Sequence, residues 1–126
     1  MRTGLAWAGL IVFLAFNSPQ AGTLFPGPVI VVSPTKINFG TAARNHSLTN
    51  TFFVENAGSG KLVGKASVPS PFKILEGETY ELRQNEAQVV TIIYTADDKP
   101  GATNIVKFTG GGGAKATVIG RSRKGS

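Results

Sequence analysis

Beyond residue 28 the apolar residues return at every second position, in short runs separated by Gly, Pro, Asn and Asp. This is the pattern of half-buried strands joined by tight turns. Val29-Ile30-Val31-Val32 is a β-branched run, and Lys36-Ile37-Asn38-Phe39 alternates polar with apolar. Leu48, Phe52 and Val54 fall on one face of a strand whose other face carries Thr49, Thr51 and Phe53. Further extended stretches run from Lys61 to Val68, Phe72 to Leu75 and Tyr80 to Leu82. The clearest strand is Ala87 to Thr95: Val90, Ile92 and Tyr94 face the core, Gln88 sits nearer the exposed start, and Val89, Thr91, Ile93 and Thr95 take the opposite face. Asn104 to Thr109 and Lys115 to Ile119 complete the set, with Val106, Phe108 and Val118 as core members.

Turn signals punctuate these runs: Asn56-Ala57-Gly58-Ser59-Gly60, Pro69-Ser70-Pro71, Glu76-Gly77-Glu78 and Asp97-Asp98-Lys99-Pro100-Gly101. No stretch shows capped helical periodicity, so nothing is available to make the crossovers of a parallel sheet. The expectation is an all-β, immunoglobulin-like antiparallel β-sandwich of about seven or eight strands. Phe39, Phe52, Phe72, Tyr94 and Phe108 supply much of its buried apolar surface.

The start of the chain follows a different pattern. Thirteen uncharged residues from Gly4 to Phe16 follow Arg2 and precede the small-polar stretch Asn17 to Gly22. A basic n-region and an apolar run of this length read as a secretory signal peptide, since a spanning helix needs about 20 apolar residues. The chain thus divides into a signal over 1–21, a leader over 22–28, one sandwich over 29–121 and a basic disordered tail over 122–126. The 105 residues after position 21 suffice for one domain. The expected location is secreted or periplasmic, with no integral membrane segment once the signal is removed.

The strand pattern also carries a resemblance. Val31 to Thr41, with Pro34, Phe39 and Gly40, is similar to the opening of the ASH family, the immunoglobulin-like domains of abnormal spindle, hydin and many bacterial envelope proteins. Phe52 to Gly58 resembles that family's strand ending in an Asn-x-Gly turn. Leu62 and Phe72-Lys73-Ile74 follow at the usual spacing, and Glu86 to Tyr94 resembles its long strand before a proline-glycine loop, here Pro100-Gly101. Val118-Ile119-Gly120 resembles its terminal strand. Related PapD-like and major-sperm-protein-like sandwiches share the Phe-Gly and Asn-x-Gly landmarks. Ala96 departs from the pattern, standing where family members often place a proline. The resemblance implies a protein-interaction or structural module of the cell envelope.

Phe39, Gly40, Asn56, Gly58, Phe72, Tyr94, Gly101 and Gly120 are therefore expected to specify the fold rather than perform chemistry. Gly40 lets the chain bend by entering positive φ, Asn56 tolerates left-handed geometry and bonds nearby backbone, and Gly58 closes the turn. The leader strand Val29, Ile30, Val31 and Val32 is a candidate interaction element, since an apolar strand can cover a sheet edge in cis or be lent to a neighbour.

Charge and chemistry alter this picture little. Thirteen Lys and Arg against seven Asp and Glu give a net charge of +6, dispersed along the chain until Arg121, Arg123 and Lys124. Lysines spaced in this way mark solvated faces and blunted edges, and no aromatic stacking motif points to a specific nucleic acid. The chain has no cysteine, which removes thiolate metal sites and disulfides. His46 is the single histidine and lies in a polar loop. Asp97-Asp98 lacks the spaced ligands of a calcium loop, and Gly110 to Gly113 lacks the Lys-Ser/Thr and helix of a phosphate cradle, leaving a flexible hairpin connection. No cofactor, metal or catalytic residue is expected. The reading is a non-catalytic exported module that binds protein partners, with self-association possible in principle. The alternatives are a strand-exchanging assembly subunit or periplasmic chaperone and, more distantly, a small hydrolase built on Ser47 or Ser59 with His46.

Overall fold

The computed structural model describes residues 27–123. The signal segment, residues 22–26 of the leader and residues 124–126 lie outside them. Nine strands follow in order: β1 (Ile30–Ser33), β2 (Lys36–Ala43), β3 (Ser47–Asn56), β4 (Leu62–Ser67), β5 (Phe72–Glu76), β6 (Thr79–Leu82), β7 (Ala87–Thr95), β8 (Gly101–Phe108) and β9 (Ala114–Arg123). They form a four-stranded sheet, β1-β3-β7-β5, and a five-stranded sheet, β2-β9-β8-β4-β6. The all-β immunoglobulin-like sandwich expected from the alternation is the fold observed.

The strands number nine where about seven or eight were expected, and two further details differ. The pairing of β2 with β9 is parallel, from Lys36 opposite Thr117 to Ala43 opposite Arg123. No crossover helix is needed, because almost the entire sandwich connects the two strands. In addition, β9 continues through Ser122 and Arg123, where a disordered tail was expected from residue 122. Arg123 O accepts the backbone N–H of Arg44 at 3.1 Å, which ties that end of β9 to the start of the β2–β3 turn.

The first apolar run is shared between the sheets. β1 pairs with β3 until Ser33; Pro34 then has no N–H to extend the ladder, and the chain crosses to the other sheet as β2. A bulge between Asn38 and Gly40 re-aims β2, and Gly40 takes φ +92°, a conformation nearly closed to side chains with a Cβ.

The two inner faces meet in one core. Val90, Ile92 and Tyr94 from β7 pack with Phe52 and Val54 of β3 against Leu62, Val106, Phe108 and Val118 of the other sheet. Phe52 meets Phe108 edge-on with ring centroids 5.8 Å apart. Phe39 is only half-buried, but its ring lies 5.5 Å from that of Phe72 and 6.4 Å from that of Tyr94, closing one end of the sandwich.

The other end is closed by a polar group. Asn56, the last residue of β3, is fully buried, and its amide uses every bonding position. Its Oδ1 accepts from Val29 N at 3.1 Å and Gly58 N at 2.9 Å; its Nδ2 donates to Gly60 O and Leu82 O, both at 3.0 Å. Its backbone is also engaged, with Asn56 N donating to Glu86 O and Asn85 N donating to Asn56 O. The turn expectation for Asn56 is thereby corrected: the residue stays extended, and its side chain rather than a left-handed backbone organises the loop. Gly58 serves close approach rather than positive φ, because a Cβ there would collide with Gly27 O and Val29 N.

Two outcomes follow for stability. Asn56→Ala leaves two N–H and two C=O groups without their buried partner, and an equilibrium urea titration is expected to show a loss of about 3–5 kcal/mol. A Cβ on Gly120 would sit 2.7 Å from ring atoms of Tyr94. Gly120→Ala is therefore expected to cost about 1–3 kcal/mol by overpacking, read as a lower urea midpoint with an unchanged slope.

Candidate interaction site

The fold-specifying residues separate into two groups at opposite ends of β3 and β7. Asn56 and Gly58 lie at one end. Phe72 and Tyr94 lie at the other, where Phe72 is directly opposite Tyr94, Gly101 opposite Arg121, and Gly120 packed under the Tyr94 ring. Tyr94 is fixed further by a 2.6 Å bond between its hydroxyl and Ser122 Oγ. The polar groups of Asn56 and Tyr94 are thus engaged within the sandwich itself.

The leader residues Val29 to Val32 pair in cis. Ala57 N donates to Val29 O at 2.8 Å and Ser59 N to Gly27 O at 2.9 Å, so the segment is laced to the β3–β4 loop as well as to β3. Ile30 and Val32 enter the core, while Val29 and Val31 stay exposed. On its other side Ile30 N donates to Gly111 O at 3.1 Å. The glycine run is the β8–β9 hairpin connection that was expected, with its first half closely packed: all four glycines have positive φ, and a Cβ on Gly110 or Gly111 would strike Val63 O or Ile30 N.

Exposure of Val31 creates a feature that the separate strands did not reveal. On the outer face of the four-stranded sheet, Phe53 of β3 lies directly opposite Val89 of β7 and opposite Ser33 of β1, two residues from Val31. The three side chains are 43% (Val31), 52% (Phe53) and 42% (Val89) exposed, a stripe across three adjacent strands. Leu75, also exposed, projects beside the bulge of β5 on the next strand. The signal for it was present as Phe53 and Val89 on the solvent-facing phase of their strands; their register was not.

Titratable and nucleophilic groups are not gathered in the same way. His46 is exposed, with its backbone held in the β2–β3 turn by Ala43 O and Ala96 N, and the neighbouring Ser47 Oγ lies 2.9 Å from Thr95 Oγ1 rather than against an imidazole. Asp97 Oδ1 accepts Lys99 N at 3.0 Å, the local bond of an Asx turn. Among the described residues, no three His, Asp or Glu side chains form a group able to hold a metal. An open hollow of about 650 Å³ over β4 and β6 is lined by Val63, Lys65, Tyr80, Glu81 and Thr109. Burial pushes the Tyr80 phenol above its ordinary range, against the opposing pull of its bonds at Thr109; its hydroxyl donates to Thr109 O at 2.6 Å, which occupies it structurally.

No protein-family model matches the sequence, and no curated protein matches it. Solved structures do match in fold. An ASH/PapD-like domain of human CEP192 superposes with a TM-score of 0.66 at 12% identity, over 97% of this chain and 99% of that one. The CupB2 chaperone of Pseudomonas aeruginosa matches with a TM-score of 0.59 at 13% identity, over 73% of this chain and 55% of the chaperone. SSP-19, an MSP-domain protein like family member of Caenorhabditis elegans, matches with a TM-score of 0.54 at 14% identity, over 71% of this chain and 97% of that one. The chain has the immunoglobulin-like fold of the ASH and PapD-like domains.

Proposed function

We propose that this protein is an exported, non-catalytic binding module of the cell envelope that works through protein–protein contact. The observation that carries the reading is the stripe of Val31, Phe53 and Val89, three half-exposed apolar side chains on adjacent strands. Contiguous exposed apolar surface on a small domain marks a contact site more often than isolated exposed residues do. An aromatic at its centre, flanked by β-branched residues and by Thr49, Thr51 and Thr91, provides the anchor-and-rim chemistry of a protein interface. Export is supported by the charge and length pattern of residues 2–22.

A second reading, strand exchange, rests on the chaperone-like fold and on β2, an eight-residue strand with one open edge. The bulge at Asn38/Gly40 interrupts that edge, and β1 is committed in cis.

Replacing Val31, Phe53 and Val89 together with Thr keeps β propensity and leaves the core untouched. In a pull-down from envelope extract, this variant is expected to lose a partner that the parent protein retains, with an unchanged circular-dichroism spectrum. Equal recovery of that partner by both proteins removes the stripe as the contact site. A molecular mass that climbs with concentration in size exclusion and is insensitive to the triple substitution would move the assignment to strand exchange.

A further inference from the structure

The lysines dispersed along the sequence converge on the outer face of the five-stranded sheet. Lys107 of β8 lies directly opposite Lys115 of β9. On the next strand Ser67 of β4 is opposite Lys107, which places Lys65, two residues away on the same face, diagonal to it. On the other side Lys36 of β2 is opposite Thr117, diagonal to Lys115. Lys65, Lys107, Lys115 and Lys36 thus form a row with one lysine on each of four adjacent strands, all exposed. At the usual strand spacing the row spans about 14 Å across the strands and, through its two diagonal steps, about 20 Å end to end.

The same face continues in cations. Arg121 and Arg123 project from the outward phase of β9, about 20 Å and about 26 Å along the strand from Lys115. Arg44 and Lys99 join Arg123 around a hollow of about 200 Å³, where Asp97 and Asp98 also lie. On the strands themselves, the acidic residue on this face is Glu81, on the edge strand β6 opposite Val63. Between the two basic ends lie Ile105, Thr117, Ile119 and Asn38, a weakly polar floor.

This arrangement opposes folding. Like charges directly opposite on neighbouring strands repel, and Lys107 with Lys115 has no carboxylate between them. A face evolved only for solubility is served equally well by alternating signs. We infer that the outer face of the five-stranded sheet docks on an anionic bilayer, with the lysine row and the Arg121–Arg123 end resting on acidic lipid headgroups. The charges are spread in two dimensions, across four strands in the row and along β9 to Arg121 and Arg123, which matches anions distributed over a surface. A linear polyanion would engage the row alone. The apolar stripe on the opposite sheet remains free, so this surface is independent of the protein-contact reading.

The test is sedimentation of the full chain with vesicles of phosphatidylcholine, with and without about one-third phosphatidylglycerol, at low and physiological salt. The parent protein is expected to bind the anionic vesicles in a salt-dependent manner beyond whatever adheres to pure phosphatidylcholine. The quadruple variant Lys36→Gln, Lys65→Gln, Lys107→Gln, Lys115→Gln is expected to weaken that binding by about 30-fold or more. A control with equal charge loss elsewhere, Lys61→Gln, Lys73→Glu, Arg83→Gln, is expected to change it less than about threefold. Equal weakening by the two variants would show net charge alone at work and overturn the proposal, as would no charge-dependent binding by the parent. Retention on heparin or duplex DNA at salt that releases the anionic vesicles, lost in the first variant, would reassign the row to a linear polyanion and overturn the lipid assignment. A rise of a few degrees in melting temperature for Lys107→Gln alone is the accompanying sign that the pair is held against repulsion.

Discussion

The Asn56 amide governs how the two sheets close at one end. It lies at the end of β3, yet its four side-chain bonds reach the leader before β1, two points in the β3–β4 loop and the end of β6. Those segments come from both sheets. An apolar residue of the same size would bury equally well but would leave four backbone groups without the partner that the amide supplies. A smaller polar side chain such as Ser, able to satisfy one or two of them, would leave the loop free to choose another path. Because donors and acceptors are saturated in one arrangement only, the amide contributes uniqueness as well as stability. Gly58 is the complement of this node, since its missing Cβ admits the Gly27–Val29 backbone that Asn56 then binds.

Much of this architecture was legible in the sequence where one face of a strand is buried. Ala87 to Thr95 was assigned by alternation alone and is β7 to the residue, with its inward and outward sets as expected. Other features depend on register between strands, which a single sequence does not display. The switch of the first apolar run between sheets was hidden because β1 and β2 both alternate and only Pro34 marks the break. The parallel β2–β9 pair joins residues some eighty positions apart. Phe39 is expected among the aromatics of the buried surface; it packs against the core from beside the bulge and is partly buried.

The surface was read less well than the core, for the same reason. Lys107 and Lys115 look like unrelated members of a scatter until the glycine run turns β8 into β9 and sets them face to face. Phe53 and Val89 each look like an ordinary outward residue until the β3–β7 register makes them neighbours. The sandwich therefore has two outer faces of different character, apolar with threonine on one sheet and basic on the other. Neither follows from composition, because both arise from which outward positions the ladder aligns.

The parallel β2–β9 pair also sets how the domain responds to load. A tension applied through Lys36 and Arg123 pulls the two strands past each other along their own axes. The seven residue pairs between them are then strained together, rather than parted in sequence as at the end of a hairpin. The strand that bears this load at one end is continuous with β1 of the other sheet, so force entering there is divided between the layers. Between those two residues the pair is therefore loaded in shear, the geometry in which a set of ladder hydrogen bonds shares the strain instead of yielding one at a time.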